Sequence, residues 1–282
     1  MRDPTFPLDL ERMIFELAAL TRPRSVLNLL LVAWRVNIWV EPHLYRTLVI
    51  GPSPVFGLPR CSVEIFNRIV RTKSPSFLRN SVRNLMIWGV TANQAKTIIS
   101  ACGGIQNLKI LAASDQLPLS TLSAFDTMPL RHLYGDLACL FDAFSVPFHH
   151  PMFTQITHLE LTDTLDGEDG STHWTGLSYL PNLTHLALSR EVESLQVFAD
   201  ILAAYKSLAA LLHLPHFPPA THTISDNLAN DPRFVIMELP HRTTDWQNGI
   251  LSGNDYWARA EHFIAMRRAG KMDRERHVSY FA

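Results

Sequence analysis

Seven short segments of the chain share a pattern of apolar residues at positions i, i+3 and i+5, and two of them depart from it at the third position. One apolar position from each segment gives the series Leu85, Leu108, Leu133, Leu159, Leu186, Leu211 and Met237. Successive members of the series lie 23 to 27 residues apart. The last two apolar positions of a segment alternate with polar ones, which is the period of a half-buried β-strand. The pattern therefore predicts seven short strands at nearly even intervals.

The four clearest copies begin at Val82, Ile105, Ile156 and Leu183. The segment from Leu130 has Gly135 at its third apolar position, and the segment from Leu208 has His213 there. The last segment, residues 234–239, follows Asp231-Pro232 and is predicted as a capping strand.

Helical patterns lie between the predicted strands. Thr91 and Gln94 have the spacing of a capping box, and apolar residues at helical spacing run through residues 63–70 and 192–205. A strand and a helix that recur every 20 to 29 residues or so are typical of leucine-rich repeats. The predicted fold class is therefore α/β, an irregular leucine-rich-repeat solenoid over residues 51–240 that lacks a regular asparagine ladder. The alternative is an ordinary α/β domain with parallel strands.

The first 50 residues do not follow the repeat. A helix is predicted to begin after Phe6-Pro7 and to break at Pro23, and a very apolar second helix is predicted from Ser25 to Val40, ended by Pro42. A helical hairpin that is apolar on all sides must be covered, either by the repeats or by a partner.

Residues 241–282 are predicted to hold a C-terminal capping helix and tail. Asn254 or Asp255 is positioned to cap this helix. Its apolar and aromatic residues recur at helical spacing from Tyr256 to Ile264. We expect the helix to cover the last repeat, and an aromatic peptide-binding groove is the alternative.

The sequence of the N-terminal segment resembles that of a known family. The stretch from Pro7 to Leu17, the run Leu29 to Arg35, and Trp39 with residues 44–48 resemble an F-box. Together with the ending from Asp231 to Gly270, the chain is similar to F-box-like, leucine-rich-repeat-like proteins of mushroom-forming fungi. Ala33 stands where the F-box usually has cysteine, and one extra residue separates Pro7-Leu8 from Glu11.

This resemblance implies a function. An F-box docks into the linker subunit that joins it to a cullin-type ubiquitin ligase, so the chain would be a substrate-recognition adaptor rather than an enzyme. The residues implied to enter the linker's apolar groove are Pro7, Leu8, Leu10, Ile14, Leu17, Leu30 and Leu31. The repeats would hold an unknown target protein. The alternative is a repeat protein with no ligase link, in which the hairpin only caps the solenoid.

Composition limits the partners and the cellular location that are expected for the chain. The chain has 282 residues, a net charge of −1 and 47% hydrophobic residues, which gives no overall attraction to nucleic acid or to an anionic membrane. Cys61, Cys102 and Cys139 are too far apart for a metal pair or a disulfide framework. The start lacks a signal-peptide pattern, and the longest apolar run is too short to cross a bilayer. A cytoplasmic or nuclear location is expected.

Candidate chemistry is sparse. No catalytic or phosphate-binding motif is present, and neither a cofactor nor a metal is expected. His213, His216 and His222 are spaced more like a polar loop than a zinc site, and the acidic residues 163–170 lack the spacing of a calcium loop. His158 and His185 occupy equivalent outward positions of their strands. We expect them to stack and, with Glu160, to form a target-binding face.

Overall fold

The computed structural model describes residues 6–52, 61–111, 117, 119–135, 137, 148–162, 173–189, 195–215, 225–239, 241–272 and 278–279. Cys139, His216, His222, the acidic residues 163–170 and residues 192–194 of a predicted helix lie outside this set.

The core of the molecule is one parallel sheet whose strand order follows the chain. The strands are β1 (Thr47–Ile50), β2 (Asn84–Trp88), β3 (Asn107–Leu111), β4 (His132–Gly135), β5 (His158–Leu161), β6 (His185–Leu188), β7 (Ala210–His213), β8 (Phe234–Met237) and β9 (Val278–Ser279). Within the described residues β1 and β9 do not pair, so the sheet is open and not a closed barrel. The chain is thus a mixed α/β protein with a parallel sheet.

Helices occupy the connections and both ends of the chain. They are α1 (Leu8–Thr21), α2 (Val26–Leu29), α3 (Trp34–Leu44), α4 (Val63–Thr72), α5 (Pro75–Ser81), α6 (Ala92–Ala101), α7 (Gln196–Ala204), α8 (Asp226–Asn230), α9 (Arg242–Ser252) and α10 (Tyr256–Arg268). The described residues also include 3₁₀ segments at Pro23–Ser25, Leu119–Ala124, Pro151–Phe153 and His173–Tyr179. No helix among the described residues has the length and apolar character needed to cross a membrane.

All seven predicted strands are confirmed as β2 to β8. Their leucine positions are in register, since Leu85 pairs with Leu108 and Leu186 pairs with Leu211. The prediction for the last strand needs correction, because Leu211 pairs with Phe234 and not with Met237. The sheet also extends by one strand on the N-terminal side, where Leu48 of β1 pairs with Leu85.

Local sequence explains several element boundaries. The capping box of α6 is confirmed, because Gln94 N donates to Thr91 Oγ1 and Thr91 N donates to Gln94 Oε1. Gly135, at the weak position of β4, has φ +146°, and a Cβ there would lie 2.5 Å from the Ile110 carbonyl oxygen. Glycine at this position therefore permits a close backbone approach that a leucine would prevent.

The second N-terminal helix was predicted wrongly as one helix from Ser25 to Val40. The structure has α2 and α3 with a turn between them, and Pro42 lies inside α3. A continuous helix would separate Val26 and Val36 by about 15 Å along its axis. The turn instead brings both valines into one small core with Ala19 and Val40, which are all buried.

Two larger clusters lie on the two faces of the sheet. The main core contains the leucine positions of the repeat, packed against α4 to α7 and the 3₁₀ segments. The second core lies on the opposite face, where Trp246, Tyr256, Trp257, Phe263 and Ile264 from α9 and α10 are buried against the strands. We call residues 241–272 the C-terminal cover.

Candidate functional site

Two surfaces were predicted to bind partners, and they differ in exposure: the first is exposed and the second is largely buried. The first lies on the N-terminal helices. Among the described residues, 15 large apolar side chains are exposed, and 12 of them lie between Phe6 and Ile38, with exposed fractions of 42% to 85%. We call these 12 side chains the open apolar surface. They are Phe6, Leu8, Leu10, Met13, Ile14, Leu17, Leu20, Leu27, Leu31, Val32, Trp34 and Ile38.

Six of the seven residues predicted to bind a linker subunit are exposed here. Leu10, Ile14 and Leu17 follow one side of α1, Pro7 and Leu8 lie at its start, and Leu31 lies in the turn after α2. The prediction needs correction for Leu30, which is half-buried and packs against the small core of Ala19, Val26, Val36 and Val40. Its carbonyl also accepts a hydrogen bond of 3.2 Å from Asn37 Nδ2, which fixes the turn to α3.

The helices that carry this surface are held together from the other side. Phe15 packs against the small core, and Ala19 is part of it. Arg35 of α3 donates two hydrogen bonds to Glu11 of α1, with Nη2 2.7 Å from Oε1 and Nε 3.1 Å from Oε2. This fork geometry fixes the angle between two planar groups. The apolar side of α1 is therefore exposed on a fixed scaffold.

The second predicted surface is the sheet face opposite the main core. Register aligns equivalent repeat positions into two rows across the strands. The first row is Asn84, Asn107, His132, His158, His185 and Ala210. The second row is Met86, Lys109, Tyr134, Glu160, Ala187 and Leu212. Because neighbouring strands lie about 4.8 Å apart, side chains in a row contact each other directly.

The first row contains a stack of three histidine rings. The centroids of His132 and His158 are 4.2 Å apart, and those of His158 and His185 are 4.1 Å apart with an angle of 5° between the planes. The predicted stacking of His158 and His185 is thus confirmed. The prediction did not include His132. His132 is the third residue of its repeat segment, as His158 and His185 are of theirs, so alignment of the repeats would have predicted that it joins the stack.

The C-terminal cover lies on top of this stack. Trp257 of α10 meets His158 and His185 edge-on, at centroid distances of 5.2 Å and 5.7 Å. A carboxylate oxygen of Glu261 lies 3.0 Å from His185 Nε2. Burial lowers the pKa of His132 to about 4 and that of His158 to about 2, and neighbouring histidines act in the same direction. Both rings are therefore neutral at pH 7.

The second row contains a buried charged cluster around Glu160. Its carboxylate accepts hydrogen bonds from Ser189 Oγ at 2.6 Å and from Tyr256 Oη at 2.8 Å. Lys109 Nζ lies 3.7 Å away and Arg242 Nη1 lies 3.9 Å away. Burial by itself raises the pKa of Glu160, but Lys109, the two hydroxyl groups and Arg242 hold it below its usual range. The cluster therefore joins β3 and β5 to both helices of the cover as an ionised group.

Further hydrogen bonds fix the cover in place. Trp246 Nε1 donates to Asn107 Oδ1 at 3.0 Å, which links α9 to β3. Arg267 Nη1 donates to the carbonyl of Phe234 at 3.0 Å, which links α10 to β8. Within the cover, Tyr256 N donates to Asp245 Oδ2 at 2.8 Å, and Gly253 ends α9 with φ +71°.

These contacts correct one prediction and extend another. The prediction of a target-binding face at His158, Glu160 and His185 is wrong, because Glu160 is only 2% exposed and the cover packs on all three residues. The helix predicted to cover the last repeat does contact β8 through Arg267, but α10 also extends over β5 and β6, where Tyr256 and Trp257 contact Glu160, His158 and His185. The cap of α10 is confirmed as Asp255, which accepts from Ala258 N at 3.0 Å.

The ionisable cluster around Glu160 is buried beneath the cover. Glu160, Tyr134 and Tyr256 are all buried, and none of them lines the groove of about 640 Å³ found beside the N-terminal helices. Burial raises the pKa of Tyr134 and Tyr256 well above the usual range. Among the described residues, no group of three or more His, Cys, Asp or Glu side chains is placed to hold a metal ion.

Comparisons with protein-family models, with curated proteins and with solved structures find no match to this chain.

Proposed function

We propose that this protein is a protein-binding scaffold in which an F-box-like helical segment precedes an irregular leucine-rich-repeat solenoid. In this proposal the open apolar surface docks into the linker subunit of a cullin-type ubiquitin ligase. The remainder of the molecule presents a target protein to that ligase. The chain contributes proximity and no bond-making chemistry.

The solenoid part of the proposal is supported by the strand order. A doubly wound α/β sheet reverses its strand order at a switch point, whereas β1 to β9 run in sequence without a reversal. Leucine positions of successive units are also in register from Leu48 through Leu211. A solenoid differs from other α/β folds because each unit contacts only the neighbouring units.

The docking part rests on one observation, the concentration of exposed apolar side chains on the N-terminal helices. Scattered apolar residues on a surface need no explanation, but a contiguous apolar patch usually marks an interaction site. A hairpin that served only as a solenoid cap would turn its apolar residues toward the repeats. Here α3 faces the repeats, through Glu41 with Lys73 and Tyr45 against Phe77, while the outer side of α1 stays open.

Co-purification tests the proposal. The full chain is co-expressed with the ligase linker subunit, beside a variant that carries Ile14→Asp and Leu31→Asp. Both residues are exposed, so the substitutions place charges on the open apolar surface without disturbing a core. We expect wild type to co-elute with the linker and the variant to lose it, because anchor residues usually provide most of the binding energy.

The matched control is Tyr179→Asp, since Tyr179 is also an exposed large side chain but lies in the 3₁₀ segment before β6. It should co-elute like wild type. Circular dichroism and thermal unfolding establish that each protein is folded. If folded wild type does not co-elute, the ligase link is wrong, and the alternative of a repeat protein whose hairpin acts only as a cap takes its place.

A further inference from the structure

Charge is distributed very unevenly along this nearly neutral chain. Residues 1–41 carry five basic and five acidic residues. Residues 42–114 carry nine lysines and arginines but only one acidic residue, Glu64, whereas residues 115–282 carry 11 basic and 20 acidic residues. The overall net charge of −1 therefore conceals a basic region at the start of the sheet, in which Lys73 is paired with Glu41 and Lys109 with Glu160.

A groove of about 640 Å³ runs between this basic region and the N-terminal helices. Its walls come from α1, the end of α3, β1, α4 and the end of α9. Three of its wall residues are exposed large apolar side chains, Leu20, Ile65 and Leu251. Its basic groups are Arg46, Arg68 and His43, and no acidic residue lies among its described lining residues. The groove thus combines aliphatic walls with cationic groups.

Arg46 and Arg68, the arginines that line this groove, are exposed, and neither forms an ion pair within the described residues. Arg71 and Arg79 of the same basic region are likewise exposed and form no ion pair there. Burial lowers the pKa of Arg83, and the charge of Arg46 lowers it further. Burial also lowers the pKa of His43, where Arg46 acts in the same direction and Glu16 opposes it. Glu16 itself is paired with Arg12 at 2.7 Å.

We propose that this groove binds an acidic peptide segment of a partner protein, with aliphatic side chains against Leu20, Ile65 and Leu251 and carboxylates at Arg46 and Arg68. Guanidinium groups bind carboxylates through paired hydrogen bonds, which gives both affinity and orientation. This inference rests on the proposed function only in treating the chain as a protein-binding scaffold. It supplies a target site outside the sheet face that the C-terminal cover occupies.

A peptide fits the groove better than a nucleic acid does. Single-stranded nucleic acids bind proteins by stacking bases on exposed aromatic rings. The groove walls are mainly aliphatic, and the ring of Tyr45 is already engaged edge-on by Phe77 at a centroid distance of 5.4 Å. Apolar walls with a few placed polar groups are also usual for sites that bury the side chains of a ligand.

Peptide selection tests the inference. The full chain is used to select binders from a displayed library of random peptides of about 12 residues, and the selected peptides are synthesised and titrated by fluorescence anisotropy. We expect the selected peptides to combine Asp or Glu with Leu, Ile or Phe. Arg46→Glu with Arg68→Glu should weaken their binding at least about tenfold, and Ile65→Asp should also weaken it, because these changes remove the charge and apolar complementarity.

The matched control reverses two charges elsewhere, with Arg268→Glu and Lys271→Glu on the exposed end of the cover, and it should bind as wild type does. Selection of no peptides, selection of non-acidic peptides, or equal loss in the control would each overturn the proposal. So would arginine-dependent binding of labelled oligothymidylate in place of peptide. Linker co-purification is scored separately with the Ile14 and Leu31 variant, so that either proposal can fail without the other.

Discussion

The N-terminal helices and the outer sheet face both present aromatic and aliphatic side chains on one side, but among the described residues only the sheet face is covered by another part of the chain. Trp257 packs on the histidine stack and is 3% exposed, whereas Trp34 at the start of α3 is 81% exposed. Whether an apolar surface is exposed therefore depends on every element that is able to pack on it. A surface that the chain covers contributes to stability, and one that it leaves open is available to a partner.

The largest expected effect is on stability and comes from the pair of tryptophans. Trp257→Ala removes a buried ring from the second core, and such changes typically cost about 3–5 kcal/mol. Trp34→Ala removes an exposed ring and should change the free energy of unfolding by less than about 0.5 kcal/mol. Denaturant unfolding of both variants measures the difference. Equal losses would mean that the cover does not pack on the sheet as described.

The second prediction compares the stability lost when two ion pairs are broken, the buried pair of Glu160 with Lys109 and the surface pair of Glu11 with Arg35. Glu160→Ala leaves Lys109 buried without its counter-charge, and breaking a buried pair in this way costs about 3–5 kcal/mol. Glu11→Ala breaks the pair with Arg35 near the open apolar surface, and surface pairs contribute about 0–1 kcal/mol.

Chemical denaturation of these two variants should therefore separate them clearly. Adding Lys109→Met to Glu160→Ala should recover part of the loss, because it removes the isolated charge. No recovery in the double variant would argue that Glu160 acts through Ser189, Tyr256 and Arg242 and not through Lys109.

The third prediction concerns pH and the histidine stack. In the unfolded chain the histidines have a pKa near 6.5, whereas in the folded protein burial holds His132 at about 4 and His158 at about 2. Below about pH 6.5 the unfolded state therefore binds protons that the folded state does not bind. Stability should fall as the pH drops from about 6.5 to 4, by up to about 1.4 kcal/mol per pH unit for each histidine.

Unfolding curves at pH 7, 6, 5 and 4 measure this dependence. A variant with His132→Gln and His158→Gln should show a shallower fall than wild type over the same interval. Glu160 also lowers stability in acid, because its folded pKa is below the usual range, but that loss begins near the unfolded carboxylate pKa of about 4.3. An unchanged slope in the histidine variant would remove the stack as the cause.

The last prediction concerns the open apolar surface, where the expected effect on stability is again small. Ile14→Asp with Leu31→Asp should leave the free energy of unfolding within about 1 kcal/mol of wild type, because neither side chain contributes to a buried core. The variant should nevertheless bind less of the dye ANS in the native state, since the dye reports exposed apolar surface. Unchanged dye fluorescence would place the accessible apolar surface elsewhere.

Periodicity determined most of the sheet from sequence alone. The spacing of apolar positions located β2 to β8, because each strand buries its leucine positions in the same way and the pattern is local. Local chemistry likewise located the capping box at Thr91 and the cap at Asp255. It also placed Leu10, Ile14 and Leu17 on one side of α1 and the rings of His158 and His185 in one row.

Tertiary structure decided what lies against each of these surfaces. Nothing near Glu160 in the sequence indicates that Tyr256, which follows 96 residues later, donates to its carboxylate, or that Trp246 reaches back to Asn107. Such contacts depend on how distant segments pack in three dimensions, and the alternation of apolar and polar residues in one strand carries no information about its partner. The break between α2 and α3 was also not predicted, because it depends on the packing of Val26 and Val36 into one core with Ala19. The sequence thus determined which surfaces exist, and only long-range packing decided that the sheet face is covered while the apolar side of α1 is exposed among the residues that the structure describes.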